Sequence, residues 1–97
     1  MASFLVETHV AQGDREQFEA GAEGLQKAGE AMVTNDAQVH VVRSYLVPND
    51  EMGVHVVEAD SVEVVMRLAK LAGIEVERVV SAIGVDPGRV HERGTGG

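Results

Sequence analysis

The sequence predicts an α+β fold whose elements follow one another in the order β-α-β-β-α-β. Two runs rich in β-branched residues, 39–47 and 52–59, flank a Pro-Asn-Asp turn, which predicts two adjacent antiparallel strands. On each side of this hairpin apolar residues recur at helical spacing, and a strand pattern lies beyond each predicted helix. The 97 residues have the size of one domain, and we assign residues 1–87 to it.

The N-terminal half begins with a strand over residues 4–10, in which the side chains alternate between two faces. Asp14 follows as a helix N-cap, and apolar residues at helical spacing then continue to about Val33. Several glycines lower the intrinsic stability of this helix, so we expect it to depend on packing against the sheet. The sequence Thr-Asn-Asp at residues 34–36 ends it.

The C-terminal half has the same kind of signals. Ser61 is a favourable N-cap for a helix that runs to about Ala72, and Gly73 is a typical helix stop. A last strand covers residues 76–85, and the polar, glycine-rich residues 88–97 predict a disordered tail. Two βαβ units joined by the hairpin predict a ferredoxin-like plait, a four-stranded antiparallel sheet with both helices on one face.

The composition argues against several classes of function. The chain has no cysteine, which excludes disulfides, thiolate metal sites and thiol nucleophiles. A net charge of −8, with one Tyr and two Phe, argues against binding to nucleic acid, which needs cationic and stacking side chains. The N-terminal residues lack the basic-then-apolar pattern of a leader, and the apolar runs are short. We therefore expect a cytoplasmic protein without membrane contact.

Strand alternation divides the side chains of the sheet between a helix-covered face and an open face. The helix-covered face is predicted to hold Phe4, Val6, Thr8, Val10, Val42, Ser44, Leu46, Met52, Val54, Val56, Val79, Ser81, Ile83 and Val85. The open face is predicted to hold Leu5, Glu7, His9, Arg43, Tyr45, His55, Val57, Arg78 and Val80.

The open face as predicted carries a candidate metal site. The first and third strands are the central neighbours of this fold, so Glu7, His9 and His55 are expected to approach one another. Two imidazoles and a carboxylate could ligate a divalent ion such as nickel or zinc, or serve acid–base chemistry. The alternative is that these residues are solvated, or lie in an interface, on an uncovered sheet.

The same face is a candidate dimer surface, because it mixes apolar side chains with charges. Pairing two such sheets face to face predicts a homodimer that encloses Arg43 and Tyr45 as ligand-binding residues. Three functions stay open: a small binding module for a divalent metal or small ligand, a cofactor-independent enzyme such as an isomerase, cyclase or monooxygenase, and a protein-interaction module. The second rests on fold analogy alone.

Short motifs distributed over residues 4–85 carry a family resemblance. They are Arg43-Ser44-Tyr45-Leu46-Val47 with Asp50, Val57-Glu58-Ala59, and Ala72-Gly73-Ile74. With them the chain resembles a family of small ferredoxin-like domains of unknown function that includes a dimeric bacterial nickel-binding protein. The resemblance implies a plait and a dimer, with metal binding in some relatives. Relatives often have Cys at the position of His55, and the nickel-binding branch has helical histidines that this chain lacks.

Overall fold

A computed structural model describes residues 1–34 and 37–85 and has the predicted order of elements. The elements are β1 (Ala2–His9), α1 (Arg15–Thr34), β2 (Val39–Val47), β3 (Met52–Ala59), α2 (Val62–Ala72) and β4 (Arg78–Ala82). The four strands form one antiparallel sheet in the order β2-β3-β1-β4. The ferredoxin-like plait is thereby confirmed, while the predicted tail at 88–97 lies outside the described residues.

Both helices begin where the sequence predicts. The Asp14 carboxylate accepts hydrogen bonds from the backbone N–H groups of Glu16 and Gln17 at the start of α1. Ser61 accepts one from Val64 at the start of α2, and Gly73 ends that helix in the left-handed conformation. Among the described residues, no helix has the length and hydrophobicity needed to cross a membrane.

The two helices pack on the same face of the sheet and enclose the hydrophobic core. This core takes residues from both helices and from β1, β2 and β3, and Val79 of β4 packs against it. Its members are Phe4, Val6, Leu25, Ala28, Met32, Val39, Val41, Val57, Ala59, Val65 and Leu68. In residues 1–34 and 37–85, no helix covers the opposite face of the sheet.

Two tight turns meet at one end of the sheet. One is the turn Pro48–Asp50 between β2 and β3, which pairs Val47 with Met52 and so sets the hairpin register. The other is the turn Ala11–Gly13, whose Gly13 has φ 61°. A Cβ on Gly13 would lie 2.7 Å from the carbonyl oxygen of Pro48, so only glycine lets these turns approach.

A β-bulge in β2 corrects one part of the predicted face assignment. Val41 pairs with Val57, but the next paired residue is Arg43, opposite Val56, so Val42 is the extra residue. Val42 is 47% exposed, and its predicted place under the helices was wrong. The bulge shifts the alternation by one residue, because the helix-facing positions are Val39 and Val41 before it but Ser44 and Leu46 after it.

The face assignment of β3 was wrong over the whole strand. The paired positions of β1 place Gly53, His55, Val57 and Ala59 on the helix-covered face, where all four are buried. Met52, Val54 and Val56 are half-buried on the open face. The prediction failed because both alternating sets of side chains in β3 are largely apolar. Hydrophobicity alone therefore does not show which set faces the helices.

The last strand is shorter than predicted. It ends at Ala82, where its pairing with β1 stops opposite Ser3. Val79 lies on the helix-covered face as predicted. Ile83 and Val85, also predicted there, follow the end of the strand and are 93% and 66% exposed.

Candidate functional site

The three predicted metal ligands do not lie on one face of the sheet. Glu7 is on the open face, where it accepts a hydrogen bond of 2.9 Å from Arg78. His9 is exposed at the end of β1, opposite Met52; alternation gives it an open-face position, but at the strand end it also lines the cleft beside His55. His55 pairs with Val6 and is 2% exposed beneath the helices, so its predicted open-face position was wrong.

The described residues do not fit a nickel or zinc centre. Within residues 1–34 and 37–85, no group of three or more His, Asp or Glu side chains is arranged to hold a metal ion. His55 faces the helices, and one of its ring nitrogens already has a protein partner. A structural or catalytic zinc site needs three or four converging ligands. We therefore derive no chemistry from a metal at Glu7, His9 and His55.

Arg43 and Tyr45 lie on the open face, two residues apart along the edge strand β2. Arg43 is opposite Val56, which in turn is opposite Leu5, so an apolar row crosses the sheet beside the guanidinium. Tyr45 is 51% exposed and begins the next row. This face is a broad surface with apolar side chains between charges, and a ligand role for Arg43 and Tyr45 stays a prediction.

The side chain of His55 instead makes a polar contact and a ring contact on the helix-covered face. Ser44 lies opposite His55 across the hairpin, and its Oγ is 2.6 Å from His55 Nδ1. On the helix side the Phe18 ring stacks on the imidazole, with ring centroids 5.5 Å apart and an interplanar angle of 14°. A hydrogen bond from one strand and a ring from α1 thus fix the imidazole in position and in orientation.

Gly53 makes room for this arrangement. A Cβ at Gly53 would lie 3.0 Å from two carbons of the Phe18 ring and 2.8 Å from Thr8 Oγ1. Such distances are shorter than van der Waals contact, so a side chain here would push Phe18 away from the sheet. The glycine in β3 therefore lets the ring of α1 lie flat on the strand, beside His55.

Burial keeps His55 uncharged at neutral pH. Desolvation lowers its pKa from the ordinary 6.5 to about 4, because the charged imidazolium would lose its hydration beneath the helices. The Ser44 hydroxyl can donate to Nδ1 or accept from Nδ1–H, so either neutral tautomer is compatible with the 2.6 Å contact. His55 can therefore present either a donor or an acceptor at Nε2.

A cleft of about 540 Å³ opens beside His55. It lies between the end of β1, the first turns of α1 and the C-terminal end of α2 with the turn that follows. Its lining residues are Thr8, His9, Val10, Gln17, Phe18, Gly21, His55, Lys70, Gly73, Ile74 and Glu75. Its volume is within the range of about 300–1,000 Å³ that is typical of small-molecule sites.

We infer that Nε2 of His55 reaches this cleft. Within the described part of the chain, no fully buried side-chain nitrogen or oxygen lacks a hydrogen-bond partner. Ser44 bonds Nδ1, and His55 lines the cleft. The cleft therefore combines one uncharged polar group at its inner wall with apolar neighbours and with the charged residues Lys70 and Glu75, a composition typical of sites for small organic molecules.

No sequence pattern predicted a functional role for Phe18, Lys70 or Ser44. Phe18 and Lys70 come from different helices, so only the packing of both helices on the sheet reveals that they share a cleft. Ser44 had a usable signal, because counting equally along the two strands from Val47 and Met52, the residues at which they end and begin, pairs it with His55.

Comparisons with known proteins support the fold. No protein-family model matches the chain, and no curated protein matches it. A solved structure does: the crystal structure of SCO4226 from Streptomyces coelicolor A3(2), with a TM-score of 0.69 and 19% sequence identity. The match covers 88% of this chain and 100% of that chain. Likeness at this identity extends to the fold and not to a ligand.

Proposed function

We propose that this protein is a small-molecule-binding domain whose ligand occupies the cleft beside His55. The observation that carries the proposal is a buried, uncharged imidazole, fixed by Ser44 and Phe18, at the wall of a cleft of ligand size. A polar group held in a low-dielectric wall forms strong and directional hydrogen bonds. Such a group orients a ligand, while the apolar neighbours contribute most of the buried area.

Binding fits this site better than acid–base catalysis. A side chain transfers protons most effectively when its pKa lies near the working pH. The pKa of His55, at about 4, makes the imidazole a weak base at neutral pH. A Ser–His pair used for nucleophilic attack also needs a third group that orients the histidine. In the described residues the one hydrogen-bond partner of His55 is Ser44 itself.

We further propose that the protein forms a homodimer through its open sheet face. Apolar side chains occupy the middle of that face, where Leu5 lies between Val56 and Val80 across three strands. Charges of both signs surround them, among them Arg43 and the ion pair of Glu7 with Arg78. A face with both signs can meet a second copy of itself with opposite charges in register.

A fragment screen followed by amide NMR tests the binding function. We expect hits that shift the amides of Thr8, His55 and Ile74, since these cleft-lining residues come from β1, β3 and the turn after α2. H55Q should weaken those hits, whereas H40Q, which changes an exposed histidine of β2, should not. Hits confined to the open face, or none at millimolar fragment concentration, would overturn the proposal.

Sedimentation equilibrium tests the dimer. We expect a mass of twice the 10.3 kDa chain at micromolar concentration and a single-chain mass for Val56→Lys. The control is Val33→Lys, because Val33 is also apolar and is 50% exposed, but lies on α1. A single-chain mass for the unsubstituted protein would contradict the dimer without affecting the cleft.

Calorimetry with Ni²⁺ and Zn²⁺ on tag-free protein tests the metal hypothesis. The proposal excludes a shared metal centre at His9 and His55, because the described residues bring no group of three or more His, Asp or Glu side chains together to hold an ion, although both histidines line the cleft. We therefore expect the same titration curve for the unsubstituted protein and for His55→Ala. A site that disappears in both His9→Ala and His55→Ala would restore the metal hypothesis.

A further inference from the structure

We propose that the cleft beside His55 selects a small carboxylate: a ligand with an apolar body, a carboxylate that meets Lys70, and an uncharged hydroxyl or carbonyl that meets His55. This inference rests on the proposed binding function and specifies the chemical class of the ligand. Three features of the cleft carry it, and each constrains a different part of the molecule.

The first feature is the charge of Lys70. This residue lies in the last turn of α2 and is the lysine that lines the cleft, where no arginine contributes. The ion pairs in the described part of the chain are Arg15–Glu19, Lys27–Glu23 and Arg78–Glu7, so Lys70 is in none of them. An ammonium that lines a cleft and has no ion-pair partner among the described residues favours an anionic group on the ligand.

Glu75 is the acidic residue that lines the cleft, and it does not cancel this preference. Glu75 also lines a second cavity of about 310 Å³, together with Glu77 and Val76, and so lies on the boundary between the two. Lys70 does not line the second cavity. A carboxylate therefore gains most at the Lys70 side of the cleft and avoids repulsion by staying away from the boundary at Glu75.

The second feature is the uncharged state of His55. An ionised group against a neutral, buried imidazole would lose its hydration without meeting an opposite charge. A hydroxyl or a carbonyl has no such cost, and the Ser44 hydroxyl allows the ring to donate or to accept at Nε2. The end of the ligand that reaches His55 is therefore polar and uncharged.

The third feature is the apolar wall between these two groups. Phe18 and Ile74 are both half-buried and line the cleft, and Val10 is buried at its edge. The stacked rings of Phe18 and His55 form a flat surface. An aromatic or alicyclic body covers such a surface with little unused volume.

The test is an amide NMR titration with three matched probes: 4-hydroxybenzoate, its methyl ester, and the cation tyramine. We expect 4-hydroxybenzoate to shift the amides of Thr8, His55 and Ile74, and to bind about three- to fivefold more tightly than the ester, the gain of an ion pair with the exposed Lys70. Lys70→Met should remove that difference. Lys27→Met, which also removes an exposed lysine of a helix, should keep it.

The outcomes separate this inference from the proposed function. Equal binding of acid and ester in the cleft, or tighter binding of tyramine, overturns the carboxylate preference while small-molecule binding at the cleft stands. If Lys70→Met keeps the preference for 4-hydroxybenzoate, the selectivity comes from another residue, and the inference is also overturned. If none of the three probes shifts cleft amides, the ligand class is wrong, and the binding function is decided by the fragment screen.

Discussion

The two faces of the sheet have similar types of side chain but differ in how deeply these side chains are buried and in the contacts that they make. The central strands carry two described histidines: His55 lies on the helix-covered face, and His9 has an open-face position at the very end of β1, where it also lines the cleft. His55 has a hydrogen bond, a stacking partner and a lowered pKa, whereas His9 is exposed at the end of its strand. Burial, and not residue type, decides which imidazole is held rigidly enough to orient a ligand.

The contrast extends to shape and charge. On the helix-covered side the ends of α1 and α2 leave a cleft, while the open side is a broad surface with rows of apolar residues and an exposed ion pair. A cleft suits a small molecule, and a broad surface suits a second protein. The two proposed interactions therefore use different faces, and substitutions can affect one without the other.

A charge introduced at two neighbouring residues of β3 should have very different effects on the two faces. Val57→Asp introduces a carboxylate at a position with 0% exposure, and we expect a loss of more than about 4 kcal/mol in the free energy of unfolding, measured by urea denaturation. Val56→Asp changes the open face, and we expect a loss below about 1 kcal/mol in the monomer.

Protein concentration separates folding from dimerisation in this pair. Any further loss in Val56→Asp that comes from a weakened dimer should shrink as the protein is diluted, whereas the loss in Val57→Asp should not. Equal effects of the two substitutions at all concentrations would contradict the assignment of β3 to the two faces.

The second prediction concerns pH. The pKa of His55 is lower in the folded state, at about 4, than the ordinary 6.5 of the unfolded chain, so between these values the unfolded state binds more protons. Stability from the neutral imidazole is complete above pH 6.5 and is lost as the pH falls toward 4. The difference in unfolding free energy amounts to about 3 kcal/mol at pH 4.

Matched variants isolate this histidine from the acidic residues that titrate in the same range. We expect H55Q to flatten the pH dependence of unfolding between pH 6.5 and 4 relative to the unsubstituted protein. H40Q removes an exposed histidine and should leave the pH dependence unchanged. A parallel curve for H55Q would mean that the imidazole is not desolvated in the folded state.

The sequence was sufficient for the fold because each element has local signals. Alternation, helical periodicity, the caps at Asp14 and Ser61, and the stop at Gly73 each depend on residues close together in the chain. The hairpin turn also restricts the topology, since two strand–helix–strand units joined by one hairpin leave few arrangements of four strands. These features do not depend on which residues meet across the core.

The candidate site could not be predicted in the same way, because it depends on register. In β3 both alternating sets are largely apolar, and the inward set contains Gly53 and His55, which look less suited to a core than Val54 and Val56. Burial of His55 is favourable only because Ser44 and Phe18 are its partners, and Phe18 is far away in the sequence. Pairing outward from the turn would have identified Ser44 but not the ring of α1.

Close packing of Phe18 on Gly53 is specific to the helix-covered face and can be tested by substitution. Gly53→Ala places a Cβ within 3.0 Å of the Phe18 ring, so we expect a loss of about 2 kcal/mol in unfolding free energy and shifted ring signals of Phe18 in NMR spectra. The control is Gly29→Ala in α1, where the new Cβ would make ordinary contacts at 3.7 Å and 3.8 Å. That variant should be neutral or more stable, by up to about 1 kcal/mol.

The smallest expected effect belongs to Ser44, and it addresses the orientation of the imidazole directly. Ser44→Ala removes the partner of His55 Nδ1, so a nitrogen within the protein loses its hydrogen bond, at a cost of about 1 kcal/mol. Nitrogen-15 NMR of the imidazole should show a shifted Nδ1 signal, because this nitrogen loses its hydrogen-bond partner. Ser81→Ala, an exposed serine of β4, serves as the control and should change neither quantity. An unchanged Nδ1 signal in Ser44→Ala would mean that the stacking on Phe18 alone orients the ring, and the role assigned to the serine would be wrong.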